Sequence, residues 1–136
     1  MSAKGMLDQL ESATQAHDLE ALVRCFGVDY VNETPLHPGR GFTGREQVRR
    51  NWTQIFAAVP DLKVRVLRSV VDEPAVWSEW EMSGTRRDGV DHLMRGVIIF
   101  RVEDGVATRA RFYLEQVDGS AADVDAAIRD TLGAGS

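Results

Sequence analysis

The residues best suited to chemistry in this chain lie on one strand near its C-terminal end. Residues 106–117 alternate without a break after Asp104-Gly105, a strong hairpin signal because glycine tolerates the positive φ of a tight turn. One face of the strand is apolar: Val106, Thr108, Ala110, Phe112 and Leu114. The other carries two guanidinium groups, a phenol and a carboxylate: Arg109, Arg111, Tyr113 and Glu115. Such a polar face is either solvent-facing surface or the wall of a pocket.

If this face lines a pocket, its groups suit proton abstraction next to a carbonyl. A carboxylate in a partly apolar cavity has a raised pKa, which makes Glu115 the candidate base. Tyr113 is a candidate donor to the developing enolate, and Arg111 is a candidate for holding the enolate or an anionic group. The alternative for Glu115 is a surface carboxylate paired with a neighbouring arginine. The alternative for Tyr113 and Arg111 is a polar stripe whose side chains lie along the surface and keep their polar ends in water.

Five further residues are candidates for substrate binding. Tyr30 and Asn32 share one face of a short predicted strand, and half-buried structural polarity is the alternative. Trp80 and Trp52 are candidate walls of a cavity, and Trp80 is the better one; core packing is the alternative for both. His92 begins a predicted central strand, where an acid–base histidine and a satisfied structural histidine are both open.

Metal and cofactor sites find little support in the sequence. The three histidines, His17, His37 and His92, are scattered and have no metal-ligand spacing. His37 lies in a Pro/Gly loop and is either an exposed loop residue or part of a flap. Cys25 lies in an apolar helical pattern, which favours a small buried hydrophobe over a catalytic thiol. We therefore predict neither a metal nor a cofactor.

The composition predicts one soluble domain over residues 1–136. A net charge of −5 argues against nucleic-acid binding, which needs a basic surface to displace counterions from phosphates. No apolar run approaches the ~20 residues of a membrane span, and the N-terminus lacks the apolar core of a signal peptide. The chain has a single cysteine, which fits a reducing compartment. Together these features predict a cytoplasmic protein without membrane contact.

Helical spacing dominates the first half of the chain. A helix is predicted over residues 3–16, and a second begins at its cap, Asp18. Residues 43–46 have the pattern of a capping box that opens a third helix, ended by Pro60. A short C-terminal helix or tail over 120–136 is predicted to be capped by Ser120 and to end at Gly133.

From residue 62 the apolar period changes from 3.6 to 2, which indicates four strands. They are predicted over 62–72, 75–86, 92–102 and 106–117, and their short connections imply antiparallel neighbours. The third is apolar on both faces and should be central. Helices followed by a strand meander predict an α+β fold, and a strongly curved sheet would enclose a pocket against the helices.

The order and spacing of several short motifs resemble the nuclear transport factor two-like superfamily, in its SnoaL-like, polyketide cyclase-like branch. The likeness covers about residues 6–118. The segments that carry it are 18–22 (DLEAL), 44–46 (GRE), 59–62 (VPDL), 95–97 with 100–105, and 111–115 (RFYLE). The resemblance implies a curved antiparallel sheet wrapped on three N-terminal helices, a cone-shaped barrel with an internal cavity, and a homodimer formed through the sheet.

Relatives in this superfamily differ in activity, so the resemblance leaves three functions open. The first is a cofactor-free cyclase or isomerase that acts on a small hydrophobic or carbonyl-containing molecule, since Glu115 lies where similar cyclases keep an acidic residue. The second is a non-catalytic binding or dimeric scaffold protein. The third is an epoxide hydrolase, since Tyr30 and Asn32 resemble the Tyr-x-Asn of limonene epoxide hydrolases. That family's Arg-x-Asp falls on Trp80 and Met82 here, so its triad is incomplete.

Overall fold

The computed structural model describes residues 2–133, which form an α+β fold with four α-helices and one six-stranded sheet. The helices are α1 (Ala3–Gln15), α2 (Leu19–Arg24), α3 (Arg45–Ala58) and α4 (Val124–Leu132). The strands are β1 (Phe26–Glu33), β2 (Phe42–Thr43), β3 (Lys63–Asp72), β4 (Ala75–Thr85), β5 (Asp91–Glu103) and β6 (Val106–Gln116). A 3₁₀ turn, Pro38–Arg40, lies between β1 and β2. The predicted α+β class is confirmed.

The sheet is curved and unclosed, with the strand order β2-β1-β6-β5-β4-β3. The four long strands form the predicted antiparallel meander, and β5 lies inside the sheet between β4 and β6. The expectation of an antiparallel sheet fails for one pair, because β1 runs parallel to β6. The chain reaches β6 from β1 only after the long excursion through α3 and β3 to β5, so no short turn imposes antiparallel pairing there.

The hairpin between β5 and β6 forms at the predicted turn. Asp104 and Gly105 both have positive φ, 52° and 81°, as a two-residue hairpin turn of the favoured twist requires. Close to the turn the pairing slips between Arg101 and Val102, which places Ala107 in the core. Beyond this bulge, Ala110, Phe112 and Leu114 face inward, and the polar residues of β6 face outward.

One of the three predicted N-terminal helix caps is confirmed. The Asp18 carboxylate accepts the backbone N–H of Ala21 at 3.1 Å and opens α2. The predicted capping box at Thr43 is wrong, because Thr43 pairs with β1 and Gly44, at φ 98°, occupies the N-cap without a side-chain bond. Ser120 does not cap α4, whose first turn bonds to Asp123 instead.

Helices α1, α2 and α3 cover one side of the sheet, which we call the inner face. The largest fully buried side chains include Met6 and Leu22 of the helices and Val76, Trp80 and Phe100 of the sheet. The opposite side, the outer face, carries Arg65, Val70, Trp77, Glu81, Arg95, Arg111, Tyr113 and Glu115. Among residues 2–133, none of the helices has the length and apolar character that a membrane crossing requires.

Cys25 lies at the end of α2 and is 4% exposed. Burial raises the pKa of its thiol to about 11, with a small opposing effect of Arg24. Because the thiolate is the reactive form, iodoacetamide at pH 8 should alkylate the folded protein at least about tenfold more slowly than the protein in urea. Intact-mass spectrometry follows the reaction. Equal rates in the two states would contradict the buried, protonated thiol.

Candidate functional site

An apolar cavity of about 300 Å³ lies between α3 and the inner face of the sheet. The side chains that line it are Phe26, Asn32, Thr34, Arg40, Phe42, Val48, Asn51, Trp52, Ile55, Met82, His92, Met94, Phe112 and Leu114. A larger groove of about 510 Å³ between α1 and α2 opens more widely to solvent and is lined by short and polar side chains. An apolar enclosure with a few polar groups is typical of small-molecule sites, so the cavity under α3 is the candidate site.

Asn32 presents hydrogen-bond donors to this cavity because its oxygen is already occupied. The Tyr30 hydroxyl, in a side chain that is 1% exposed, donates to Asn32 Oδ1 at 2.7 Å. Burial raises the pKa of Tyr30, so its proton stays in place and keeps this bond. The amide nitrogen has only one long contact, 3.4 Å to Thr34 Oγ1. Its N–H groups can therefore bind an oxygen atom of a ligand.

The side-chain amide of Asn51, on α3, also presents its N–H groups to the cavity, but a different partner occupies its oxygen. An arginine can only donate, so the contact from Arg50 requires the Gln47 oxygen to face Arg50. The Gln47 nitrogen then donates to Asn51 Oδ1 at 2.8 Å. This series of hydrogen bonds leaves the Asn51 N–H groups available to a ligand in the cavity. Two amides from different elements thus offer donors to a bound molecule.

Among the described residues, His92 is the only histidine that lines the cavity. It is the second residue of β5, after Asp91, is half-buried, and shares its strand face with Met94. Within the described residues it forms no side-chain hydrogen bond or ion pair, so its nitrogens are available to a ligand. Histidine is the most frequent general acid or base in enzymes. His92 is therefore the group in this cavity that is best suited to moving a proton.

The bond between Tyr30 and Asn32 can be tested by Tyr30→Phe. The variant leaves a buried amide oxygen without its donor, which should lower the free energy of unfolding by about 1–3 kcal/mol. Urea denaturation measures this difference. Tyr113→Phe is the matched control, since Tyr113 lies on the outer face and should change the stability by less than about 0.5 kcal/mol. If Tyr30→Phe lowers the free energy of unfolding as little as is expected for Tyr113→Phe, the buried hydroxyl is not needed for stability.

The structure brings together three of the five predicted substrate-binding residues. Asn32, Trp52 and His92 line the cavity. Tyr30 lies behind Asn32 and supports it. Trp80 does not line the cavity but is buried in the core at 1% exposure, where its indole N–H donates to Ser78 Oγ at 2.8 Å.

The predicted catalytic group on β6 lies outside this cavity. The inner face of β6 is its apolar side, so Arg111, Tyr113 and Glu115 are on the outer face. Glu115 is half-exposed and pairs with His37 of the Pro/Gly loop at 2.8 Å. Of the two alternatives for this polar face, the structure shows the outward-facing one, because these three side chains do not line the cavity. Their catalytic role stays a prediction, which variants can test.

The neighbours of Glu115 show why the outer face can hold these charges. In the row that crosses the sheet from Glu115, Glu81 bonds Arg95 at 3.0 Å and Arg65 at 3.1 Å. Hydrogen bonding from Arg95, and then from Arg65, lowers the pKa of the Glu81 carboxyl. Cross-strand pairs of opposite charge satisfy one another on a solvated surface.

Residues 7–110 match the family model for the SnoaL-like domain, which spans most of the chain. The chain belongs to the SnoaL-like domain family. The match runs from within α1 to the middle of β6 and includes the strands β1 to β5 and most of the cavity wall. No curated protein matches this SnoaL-like domain by sequence.

Solved structures share the fold of this SnoaL-like domain at low identity. IdmH, a proposed polyketide cyclase from Streptomyces antibioticus, is 22% identical over 82% of this chain and 88% of that chain, with a TM-score of 0.69. A Catenulispora acidiphila protein with a ketosteroid isomerase-like fold, in complex with trimethylamine, is 16% identical over 83% and 87%, with a TM-score of 0.70. An epoxide hydrolase of M. tuberculosis that is similar to limonene epoxide hydrolases is 20% identical over 81% and 80%, with a TM-score of 0.69. These likenesses show the fold alone.

Several cavity residues of this SnoaL-like domain were missed from the sequence. Arg40 comes from the Pro/Gly loop, and Asn51 lies among the polar residues of α3. Asn51 is three residues after Val48 and one before Trp52, so the helical period places it beside these two apolar side chains, which is a weak signal. No local pattern singles out Arg40.

Within residues 2–133 of this SnoaL-like domain, no group of three or more His, Cys, Asp or Glu side chains is placed to hold a metal ion. The absence of a metal and of a cofactor from the activity stays a prediction. The cavity itself offers amide, imidazole and guanidinium groups, which are hydrogen-bonding and proton-transfer groups.

Proposed function

We propose that this protein is a small-molecule enzyme of the cyclase or isomerase type that acts on a carbonyl compound without a cofactor. The observation that carries the proposal is the composition of the cavity wall. Apolar side chains surround one imidazole, His92, and two amides, Asn32 and Asn51, that offer donors. An enolate needs such a set, because its formation requires a base and its oxygen requires donors.

In the proposed reaction, His92 takes a proton from the carbon next to the carbonyl group. The electron pair of that C–H bond moves toward the carbonyl oxygen, and the N–H groups of Asn32 and Asn51 bind the enolate. If the substrate has a C=C bond conjugated with the enolate, return of the proton to the far carbon of that system shifts the double bond and completes an isomerisation. Alternatively, the enolate carbon attacks a second carbonyl of the same molecule, whose oxygen takes the proton from the imidazolium, and a ring closes.

The apolar wall contributes to this chemistry in two ways. Phe112, Leu114, Met94 and Ile55 can hold the hydrocarbon body of the substrate. They also make the surroundings of the bound carbonyl group less polar, and hydrogen bonds to a developing charge are stronger in such surroundings. A carbonyl on an otherwise apolar molecule is therefore the ligand that fits the whole cavity.

Deuterium exchange tests the proposal without knowledge of the natural substrate. The protein is mixed with a bicyclic aryl ketone in D₂O, and NMR follows deuterium entry at the carbon next to the carbonyl. We expect saturable exchange at least about tenfold faster than with the same concentration of free imidazole, since the cavity orients the ketone. Exchange no faster than with imidazole, for a ketone shown to bind, would contradict catalysis.

A non-catalytic binding protein is the second candidate. It is favoured by the cavity wall, which contains no carboxylate among its lining residues. This reading expects a ketone to bind and to leave with its hydrogens unexchanged, so the same experiment separates the two functions. Hydrolysis of an epoxide finds less support, since Met82 and the buried Trp80 occupy the positions of the carboxylate and arginine that this chemistry uses.

We also propose that the protein forms a homodimer through the outer face of the sheet. Val70 and Trp77 on this face are 69% and 53% exposed, and Ile99 lies in the same row. Exposed apolar side chains that adjoin one another favour contact with a second surface. Light scattering should give twice the monomer mass, and Trp77→Glu should give the monomer. A monomeric wild-type protein would contradict the proposal.

A further inference from the structure

The charges in the cavity wall favour one kind of substrate. Among residues 2–133, Arg40 and His92 are the ionisable side chains that line the cavity, and no Asp or Glu lines it. The whole chain carries a net charge of −5, so the wall differs in sign from the protein as a whole. A ligand in this cavity therefore meets one permanent positive charge and hydrogen-bond donors.

Arg40 has no partner of its own. Within residues 2–133 its guanidinium group forms no hydrogen bond or ion pair. Arg109 on β6, by contrast, is bonded to Glu33 at 2.7 Å. An arginine beside an apolar space without a carboxylate partner can form its charge-assisted hydrogen bonds with a ligand.

The loop that carries Arg40 is held in place by several bonds. Backbone turns join His37 N to Thr34 O at 2.8 Å and Arg40 N to His37 O at 2.9 Å. The His37 side chain bonds Glu115 at 2.8 Å and ties the loop to β6. The backbone of Arg40 is thus held before any ligand arrives, and its side chain, although exposed, lines the cavity together with Asn32 and Phe42.

We propose that the substrate is a keto acid, in which an apolar body joins a ketone to a carboxylate and Arg40 binds the carboxylate. This inference rests on the proposed function for the position of the ketone near His92. A carboxylate matches the planar guanidinium with two parallel hydrogen bonds, which a neutral ester cannot reproduce. A cationic ligand is disfavoured, since nothing in the wall balances its charge.

The test compares 4-oxo-4-phenylbutanoate with its methyl ester, two molecules that share the phenyl ketone and differ in charge. Isothermal titration calorimetry measures both affinities with the wild-type protein, Arg40→Gln and Arg129→Gln. Arg129 is exposed on α4, so its variant makes the same change in net charge away from the cavity. We expect the wild type and Arg129→Gln to prefer the acid at least about tenfold, and Arg40→Gln to lose this preference.

The outcomes separate this inference from the proposed function. Equal wild-type affinities for acid and ester, an acid preference retained in Arg40→Gln, or no binding of the acid at millimolar concentration would each overturn the role of Arg40. Deuterium exchange into the bound acid is measured separately. Tight, Arg40-dependent binding without exchange would reject the catalytic proposal and leave the keto acid as the ligand class.

Discussion

His92→Asn should slow deuterium exchange into a bound ketone by at least about 100-fold, which is the usual contribution of a general base. Asparagine keeps a polar side chain of similar reach but has no group that accepts a proton at neutral pH. The dissociation constant of the ketone should change much less, because the apolar wall and the two amides remain. NMR exchange rates at saturating ketone, together with calorimetric affinities, measure the two effects.

Glu115→Gln is the matched comparison, because the sequence alone favours Glu115 as the base. Glu115 pairs with His37 on the outer face, so its variant should exchange within about twofold of the wild type. A large loss in Glu115→Gln with full activity in His92→Asn would reverse the assignment. Similar losses in both variants would indicate that the loop held by His37 and Glu115 is required for activity.

Gly96→Ala should lower the free energy of unfolding by about 3–5 kcal/mol or prevent folding. Gly96 lies within β5 at φ 154°, a backbone conformation that residues other than glycine rarely adopt. A Cβ atom there would lie 2.1 Å from the backbone oxygen of Tyr113 on β6, so one of the two paired strands would have to move. Because β5 and β6 form part of the cavity wall, ligand binding should be lost as well.

Urea denaturation followed by circular dichroism measures the effect, and Gly119→Ala is the control. A Cβ at Gly119 meets no atom within 4 Å and Gly119 needs no positive φ, so this variant should be as stable as the wild type. A Gly96→Ala protein of wild-type stability would show that β5 and β6 can separate locally at no cost.

Local chemistry explains why much of the fold could be predicted. The alternation of residues 106–117, the Asp104-Gly105 turn and the carboxylate of Asp18 act over a few residues, and each forms the expected element. The prediction at Thr43 failed because a longer-range contact acts there. Thr43 has the sequence of a helix cap, but pairing with β1 takes its backbone into a strand before it can cap α3. Pairing with a distant strand overrides a short-range preference.

The sequence by itself determined that β6 has one apolar and one polar face, because side chains alternate along any strand. Only the tertiary structure decided which face meets the cavity. The helices cover the side of the sheet that carries Phe112 and Leu114, so Glu115 lies outside. It also decided the site, since Arg40, Asn51 and His92 come from a loop, a helix and a strand that are far apart in the chain. Periodicity acts within an element, whereas a cavity depends on how the elements pack together.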